Sequence, residues 1–209
     1  MKILHISDTH GKHKQFTDMP EADVIVHSGD ITFAGSEDEA FDFINWFCDL
    51  PYRHKIFIAG NHDACLYGAD GIEGLPDDTH FLYNSSVTIE GLKFYGVPLF
   101  LEDCMNETYP EMISAIPSDT DVLITHQPPR GICDIADYGS GPTHHGGIEL
   151  ANRLKTLNLK CHLFGHEHDA TDLQVINGTI YSNAAVLYDK YNIDSEPHLK
   201  RYKKTVLIM

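Results

Sequence analysis

The chain has 209 residues, of which 42% are hydrophobic and 22% are charged, and its formal net charge is −16 with histidine neutral. This composition is typical of a globular protein, and the acidic balance disfavours binding to long nucleic acids, which are themselves polyanions. The sequence holds no apolar run of about 18 residues, so we expect no helical membrane span.

We expect a single domain over residues 1–209, because no linker-like or low-complexity stretch divides the chain. Because the charged residue Asp8 comes so early, we expect no signal peptide, which needs a longer apolar core. The cysteines are five in number, scattered, and without a C-x-x-C pair, which predicts reduced thiols and a cytoplasmic protein. The oligomeric state is left open, with a homodimer as one alternative.

Short apolar runs alternate with amphipathic segments, a pattern typical of α/β proteins. The sequence predicts strands at 2–7, 24–28, 55–59, 86–90, 93–97, 122–125, 161–164, 179–182 and 205–208. It predicts helices at 37–50 and 147–157, with Ser36 and Glu39 forming a capping box at the first. The expected buried faces are Ala40, Phe41, Ile44, Phe47 and Cys48 in the first helix and Ile148, Ala151 and Leu154 in the second.

Five short polar motifs each begin where an apolar run ends. They are Asp8-Thr9-His10, Gly29-Asp30, Gly60-Asn61-His62-Asp63, Thr125-His126 and Gly165-His166-Glu167-His168. Ligands of open α/β sheets bind outside the carboxyl ends of the strands, so five strands can deliver these side chains to one rim. Their carboxylate, imidazole and amide groups suit borderline divalent metals better than Ca.

The motifs offer seven candidate metal ligands, namely Asp8, His10, Asp30, Asn61, His126, His166 and His168. Seven groups are too many for one catalytic ion that keeps open positions. They suit two ions about 3.5–4 Å apart with a bridging carboxylate. The four histidines favour Mn, with Fe, Zn or Ni as alternatives, over Mg and Ca. Glycine precedes Asp30, Asn61 and His166, which predicts tight turns that aim these ligands.

In this order, the motifs D-x-H, G-D, G-N-H, H and G-H-x-H resemble the calcineurin-like metallophosphoesterase superfamily over residues 8–168. The segments ISDTHGKH, ADVIVHSGDIT, HKIFIAGNHD, THQPPRGICD and CHLFGHEHD most closely resemble the MPPED-type branch and its bacterial relatives. The resemblance implies a four-layer α/β/β/α sandwich of two mixed sheets with two metals at its rim. Some members of that branch carry glycine at the first histidine of G-H-x-H. His166 is present here, so we expect a complete site.

The resemblance assigns one metal to Asp8, His10 and His168, the other to Asn61, His126 and His166, and the bridging position to Asp30. It implies attack on phosphorus by a metal-bound hydroxide, with His62 as the general acid that protonates the leaving alkoxide. A purely structural loop histidine is the alternative for His62. Asp63 is expected to cap a helix or form a turn, and Glu167 is expected to be exposed.

Residues 128–146 show no periodicity, and a loop of this length inside a compact domain is usually functional or disordered. Its candidate substrate-binding residues are Arg130, Tyr138, His144 and His145. Arg130 can bind a phosphate oxygen and Tyr138 can stack on a base. A surface ion pair is the alternative for Arg130, and simple exposure is the alternative for the histidine pair.

The leading hypothesis is a phosphodiesterase for small substrates such as cyclic nucleotides. Phosphomonoesterase activity and cleavage of short oligonucleotides remain open. A protein Ser/Thr phosphatase is disfavoured, because the segment GDITFAG lacks the arginine that such enzymes carry in G-D-x-V-D-R-G. The hypothesis of another class is a non-catalytic metal-binding scaffold, which the complete set of ligands and His62 disfavours.

Overall fold

The computed structural model describes residues 1–186 and 205–208. The strands in that part of the chain are β1 Lys2–Ile6, β2 Val24–His27, β3 His54–Phe57, β4 Thr79–Phe81, β5 Ser85–Ile89, β6 Leu92–Val97, β7 Val122–Thr125, β8 Ile135–Ala136, β9 Thr143–His144, β10 Cys161–Phe164, β11 Asp172–Ile176, β12 Thr179–Asn183 and β13 Thr205–Ile208. The α-helices are α1 Glu37–Cys48, α2 Leu101–Met105, α3 Tyr109–Ser114 and α4 Ile148–Leu154. None of these helices is long and apolar enough to cross a membrane.

Two mixed sheets form the centre of the fold. The five-stranded sheet has the order β13-β1-β2-β3-β4, and only β13 runs antiparallel to its neighbour. The six-stranded sheet has the order β11-β12-β10-β7-β6-β5, with antiparallel pairs at its two edges and parallel pairs between them. The parallel strands β1, β2 and β3 therefore end at one edge of the first sheet, and β7 and β10 end together in the second.

The two sheets pack face to face through branched aliphatic side chains. Ile3, Val24 and Ile56 of the five-stranded sheet lie in one buried cluster with Val122 and Leu163 of the six-stranded sheet. Because side chains alternate along a strand, the residues next to Ile3, Val24 and Ile56 point to the opposite face of the five-stranded sheet.

A helical layer covers the outer face of each sheet. Phe43 and Phe47 of α1 are fully buried against the five-stranded sheet, which contributes roughly 1.5–3 kcal/mol for each side chain. Ile113 of α3 and Leu150 of α4 pack with Leu123 on the outer face of the six-stranded sheet. The predicted four-layer α/β/β/α sandwich is confirmed.

All nine predicted strands are present, each within one or two residues of the expected ends. The sequence reasoning missed β4, β8, β9, β11, α2 and α3. Most of these are too short to show a period, and β11 is largely exposed on both faces, so it lacks the alternation of a half-buried strand. The five cysteines are free, as expected.

The capping box of Ser36 and Glu39 is confirmed, but the predicted buried faces of both helices are partly wrong. In α1, Phe41 is 70% exposed and Phe43 takes the buried position three residues after Ala40. In α4, Ile148 is 54% exposed and Leu150 is buried. Each predicted face is rotated about the helix axis relative to the observed one. A short helix with several apolar residues is compatible with more than one buried face, and the position of the sheet determines which face is buried.

Candidate metal centre

The ends of five parallel strands bring all seven predicted ligands to one rim. Asp8, Asp30 and Asn61 follow β1, β2 and β3, while His126 and His166 follow β7 and β10. The rim therefore combines three turns of one sheet with two turns of the other.

Four of the candidate ligands have a backbone conformation that is rare outside glycine. The φ angles are 58° at Asp8, 42° at His10, 57° at Asp30 and 68° at His166. Such positions cost on the order of 1–3 kcal/mol each and persist only where the surroundings over-determine them. Hydrogen bonds between turns hold them here, including Asp8 N to Gly29 O at 2.9 Å and His10 N to Asp30 O at 3.0 Å.

The glycines that precede ligands have a different role from the one predicted. Gly60 and Gly165 do not have positive φ angles. A Cβ at Gly60 would overlap the Asp30 carboxylate, and a Cβ at Gly165 would overlap the Asp8 carboxylate. These two glycines thus allow a neighbouring ligand to approach the backbone closely, and only Gly29 combines close packing with a φ of 99°.

The first ligand group contains Asp8, His10 and His168, whose ligand atoms all lie within 4.8 Å of one another. His168 Nε2 is 3.1 Å from Asp8 Oδ1 and 3.3 Å from His10 Nε2. Two ring nitrogens and one buried carboxylate oxygen thus converge on a single point, which suits a divalent cation with mixed nitrogen and oxygen ligands.

The second group surrounds His126. Its Nε2 lies 3.3 Å from Asp30 Oδ2 and 3.1 Å from Asn61 Oδ1, and the His166 ring centroid is 5.1 Å from that of His126. Asp30 Oδ2 is also 3.6 Å from His10 Nε2, which belongs to the first group. One carboxylate oxygen therefore faces both groups.

Backbone carbonyls orient two of the candidate histidine ligands. His126 Nδ1 donates to Ser28 O at 2.8 Å, and His10 Nδ1 donates to Thr32 O at 3.2 Å. A carbonyl can only accept a hydrogen bond, so each Nδ1 carries a proton and each Nε2 is the ring nitrogen left to bind a metal. This arrangement is common for histidines that bind metals.

The electrostatics of the site also favour cations. Burial lowers the pKa of His126, but the nearby Asp30 and Asp8 carboxylates outweigh that effect and raise it to about 10. Asp8 and Asp30 are themselves 0% and 2% exposed. Two buried carboxylates thus draw positive charge into this position, and the donor set fits divalent metal ions.

His62 lies beside Asp30 and is fixed in orientation. Its backbone N donates to Asp30 Oδ1 at 2.9 Å, and its Nδ1 donates to Phe33 O at 2.9 Å. A ligand atom of His62 lies within 4.8 Å of those of His10 and Asp30. Because Nδ1 is engaged with Phe33 O, Nε2 is the ring nitrogen that remains for contact with a substrate, and His62 lines the cleft at the ligand rim.

Asp63 has a larger structural role than the expected cap or turn. It precedes a short 3-10 helix, Ala64–Leu66, but its side chain does not cap that helix. The fully buried carboxylate instead accepts from the backbone of Ile31, Thr32 and Gly60 at 2.8–3.2 Å and from the Thr32 hydroxyl at 2.8 Å. Asp63 therefore ties the turn that carries Asp30 to the turn that carries Asn61.

A cleft of about 510 Å³ opens at the ligand rim. Its lining residues are His10, Gly11, Lys12, Asp30, Phe33, Glu39, Asn61, His62, Ala136, Asp137, Tyr138, His166, His168 and Asp169. Of the four predicted substrate-binding residues, all in the described part of the chain, only Tyr138 lines the cleft.

The other three contact neighbours within their own loop. Arg130 Nη1 donates to His144 O at 3.2 Å, and His144 Nδ1 pairs with the buried Asp134 carboxylate at 2.7 Å. His145 packs edge-on against Tyr138, with ring centroids 4.7 Å apart. The sequence did not reveal that Asp134 orders this loop. Its contact with His144, whose carbonyl binds Arg130, accompanies the position of both residues outside the cleft lining.

Glu167 lies between two ligands but is 1% exposed, so the expected exposure is wrong. Its Oε2 accepts from the Tyr138 hydroxyl at 3.0 Å, and its carbonyl accepts from the Asn183 amide at 2.9 Å. The first contact joins the loop to the turn that carries His166 and His168, and the second joins that turn to β12.

Comparison with known proteins identifies the family of this chain. The calcineurin-like phosphoesterase family model matches residues 1–170. The UPF0046 protein K07C11.7 of Caenorhabditis elegans is 30% identical over 94% of this chain and 73% of its own length. Metallophosphoesterase domain-containing protein 1 of Homo sapiens is 30% identical over 94% of this chain and 69% of its own length. One solved structure, 16% identical, shares the fold with a TM-score of 0.60 over 88% of this chain and 90% of that one. The chain belongs to the calcineurin-like phosphoesterase family.

Proposed function

We propose that this protein is a dinuclear metal-dependent phosphodiesterase that acts on small substrates such as cyclic nucleotides. The observation that carries the proposal is the position of Asp30 Oδ2, which lies 3.6 Å from His10 Nε2 and 3.3 Å from His126 Nε2. A carboxylate oxygen between two ligand groups is suited to bridge two cations.

The ligands divide between two metals, which we propose to be Mn ions, with Fe, Zn or Ni as alternatives. The first is held by Asp8, His10 and His168, the second by Asn61, His126 and His166, and Asp30 is shared. Bound there, the two ions supply activation of water and neutralisation of the charge that develops on the phosphate.

Beside the two metals, the protein itself supplies a proton donor for the leaving oxygen, which is His62. Because Nδ1 is engaged with Phe33 O, a second proton must enter and leave at Nε2. In the proposed reaction, His62 Nε2 donates this proton to the leaving oxygen as the ester bond breaks, which removes the need to expel an alkoxide.

The charge of the cleft favours a diester over a monoester. Lys12 is the sole lysine or arginine among the lining residues, which all belong to the described segments, while Asp137 and Asp169 add negative charge. A phosphodiester carries one negative charge, and a monoester carries nearly two at neutral pH. Around the two metal ions, the acidic rim therefore adds a repulsion that grows with the charge of the substrate, which favours a diester over a monoester and disfavours a long nucleic acid.

Metal removal and reconstitution test this function. After treatment with EDTA, we expect loss of hydrolysis of bis(p-nitrophenyl) phosphate, and recovery with Mn that exceeds recovery with Mg or Ca. Elemental analysis should give two metal equivalents per chain. A panel of cyclic nucleotides, with p-nitrophenyl phosphate as the monoester control, then tests the substrate class. Equal recovery with Mg, one metal equivalent, or faster cleavage of the monoester would contradict the proposal.

A further inference from the structure

An aromatic side chain without a role in the site described above projects into the cleft. Phe33 follows β2 and is 67% exposed. Its ring centroid lies 6.3 Å from that of His62, with an angle of 31° between the planes, and 6.4 Å from that of His10. Because it lines the same cleft as the ligands, a group bound next to the phosphate would meet the face or edge of this ring.

Hydrogen bonds anchor the backbone around Phe33 although its side chain is exposed. Phe33 N donates to Glu39 Oε1 at 3.2 Å, and Ala34 N donates to Glu39 Oε2 at 3.0 Å. On the other side, Phe33 O accepts from His62 Nδ1 at 2.9 Å. The capping box of α1 and the proposed general acid therefore fix the position from which the ring projects.

Exposure alone does not distinguish Phe33 from Phe41. Phe41 is 70% exposed, a nearly equal fraction, but it lies within α1 and does not line the cleft. Single exposed apolar residues of that kind are ordinary on protein surfaces. Phe33 differs because its backbone is anchored on both sides and its ring lies beside two histidines of the site.

We infer that Phe33 is a stacking platform for the base of a substrate whose sugar is esterified to the phosphate, which makes nucleoside phosphodiesters the preferred substrate class. The inference rests on the proposed function and names its substrate class. Stacking of a base on an aromatic side chain is tolerant of base identity, because every base has a π-face. Tyr138, from the loop after β7, lines the same cleft and offers a second aromatic surface from the other sheet.

Binding of two product-like probes tests the inference. Adenosine 5′-monophosphate and ribose 5-phosphate share the phosphate and sugar and differ in the base. With the Mn-loaded protein, calorimetry should give a Kd at least about fivefold lower for adenosine 5′-monophosphate. Phe33→Ala should bring the ratio of the two Kd values close to one, Phe33→Trp should keep it, and the matched control Phe41→Ala should leave it unchanged.

The outcomes separate this inference from the proposed function. If ribose 5-phosphate binds and the base adds no affinity, or if Phe33→Ala keeps the ratio, then Phe33 is not the platform, and the phosphate site stands. If neither probe binds the Mn-loaded protein, the phosphate site itself is wrong and the inference fails with it.

Discussion

The ligand turns and the loop at residues 127–146 lie at the same edge of the fold but are held in different ways. Backbone hydrogen bonds between strand ends and the buried carboxylate of Asp63 fix the ligand turns. The loop is ordered mainly by itself, since Asp134 accepts from Gly131 N at 3.0 Å, from Gly146 N at 3.1 Å and from His144 Nδ1 at 2.7 Å.

From this difference we expect the reaction to depend on the ligand turns and the choice of substrate to depend on the loop. The ligand turns cannot change without disturbing the packing of two sheets, so they suit a reaction that needs fixed geometry. The loop reaches the ligand turns through the Tyr138 hydroxyl, 3.0 Å from Glu167, and can vary with less effect on the sheets. Substitutions in the turns should therefore affect metal binding and turnover, and substitutions in the loop should affect the choice of substrate.

The largest effect is expected for Asp30→Ala, because its carboxylate faces both ligand groups. We expect loss of both metals and a decrease in kcat/KM of more than about 10³-fold, beyond the 10–100-fold typical of residues that only support ligands. Metal content and hydrolysis of bis(p-nitrophenyl) phosphate measure this, with the exposed Asp38→Ala as control. Two retained equivalents and full activity would refute the bridging role.

His62→Ala should decrease kcat by about 10²–10⁴-fold while metal content stays near two equivalents, because a general acid acts on the leaving group. The decrease should be larger for an alkoxide than for nitrophenolate, which leaves without a proton. Rates for the two classes of leaving group measure this. Equal decreases for both would point to a role other than proton donation.

Asp63→Ala tests whether the link between turns supports the ligands. Loss of a buried, charged acceptor of several hydrogen bonds should lower the free energy of unfolding by about 3 kcal/mol. Metal affinity should fall about 10–100-fold. Denaturant unfolding and metal titration measure the two effects, and Asp63→Asn, which keeps one acceptor oxygen, should lie between wild type and Asp63→Ala. Unchanged metal affinity in both variants would mean that the ligand turns are fixed without Asp63.

The smallest effect is expected from the loop. Replacement of residues 138–141 by glycine should raise KM for a nucleotide diester about fivefold more than KM for bis(p-nitrophenyl) phosphate, since the nitrophenyl diester lacks the ribose and base that would contact the rim. Tyr138→Phe keeps the ring but loses the hydrogen bond to Glu167, so it separates stacking from loop attachment. Equal changes in KM for both substrates would show that the loop shapes the metal centre instead of selecting the substrate.

The sequence by itself determined the elements that local pattern encodes. The strands, the capping box of Ser36 and Glu39, and the polar motifs after each strand depend on neighbouring residues, so they can be read along the chain. The order of those motifs also indicated the family. Short or exposed elements such as β11 carried too weak a period to be recognised.

Only the tertiary structure decided which groups meet across the two sheets. It turned Phe43 inward and Phe41 outward, brought Asp63 between two ligand turns, and left Phe33 but not Arg130 in the cleft. Gly60 likewise appears in sequence as a turn residue, although its absent side chain makes room for Asp30. The physical reason is that these features depend on contacts between different turns, such as Asp63 with Thr32 and Gly60 with Asp30, or on which face a helix presents to a sheet. No local period records either.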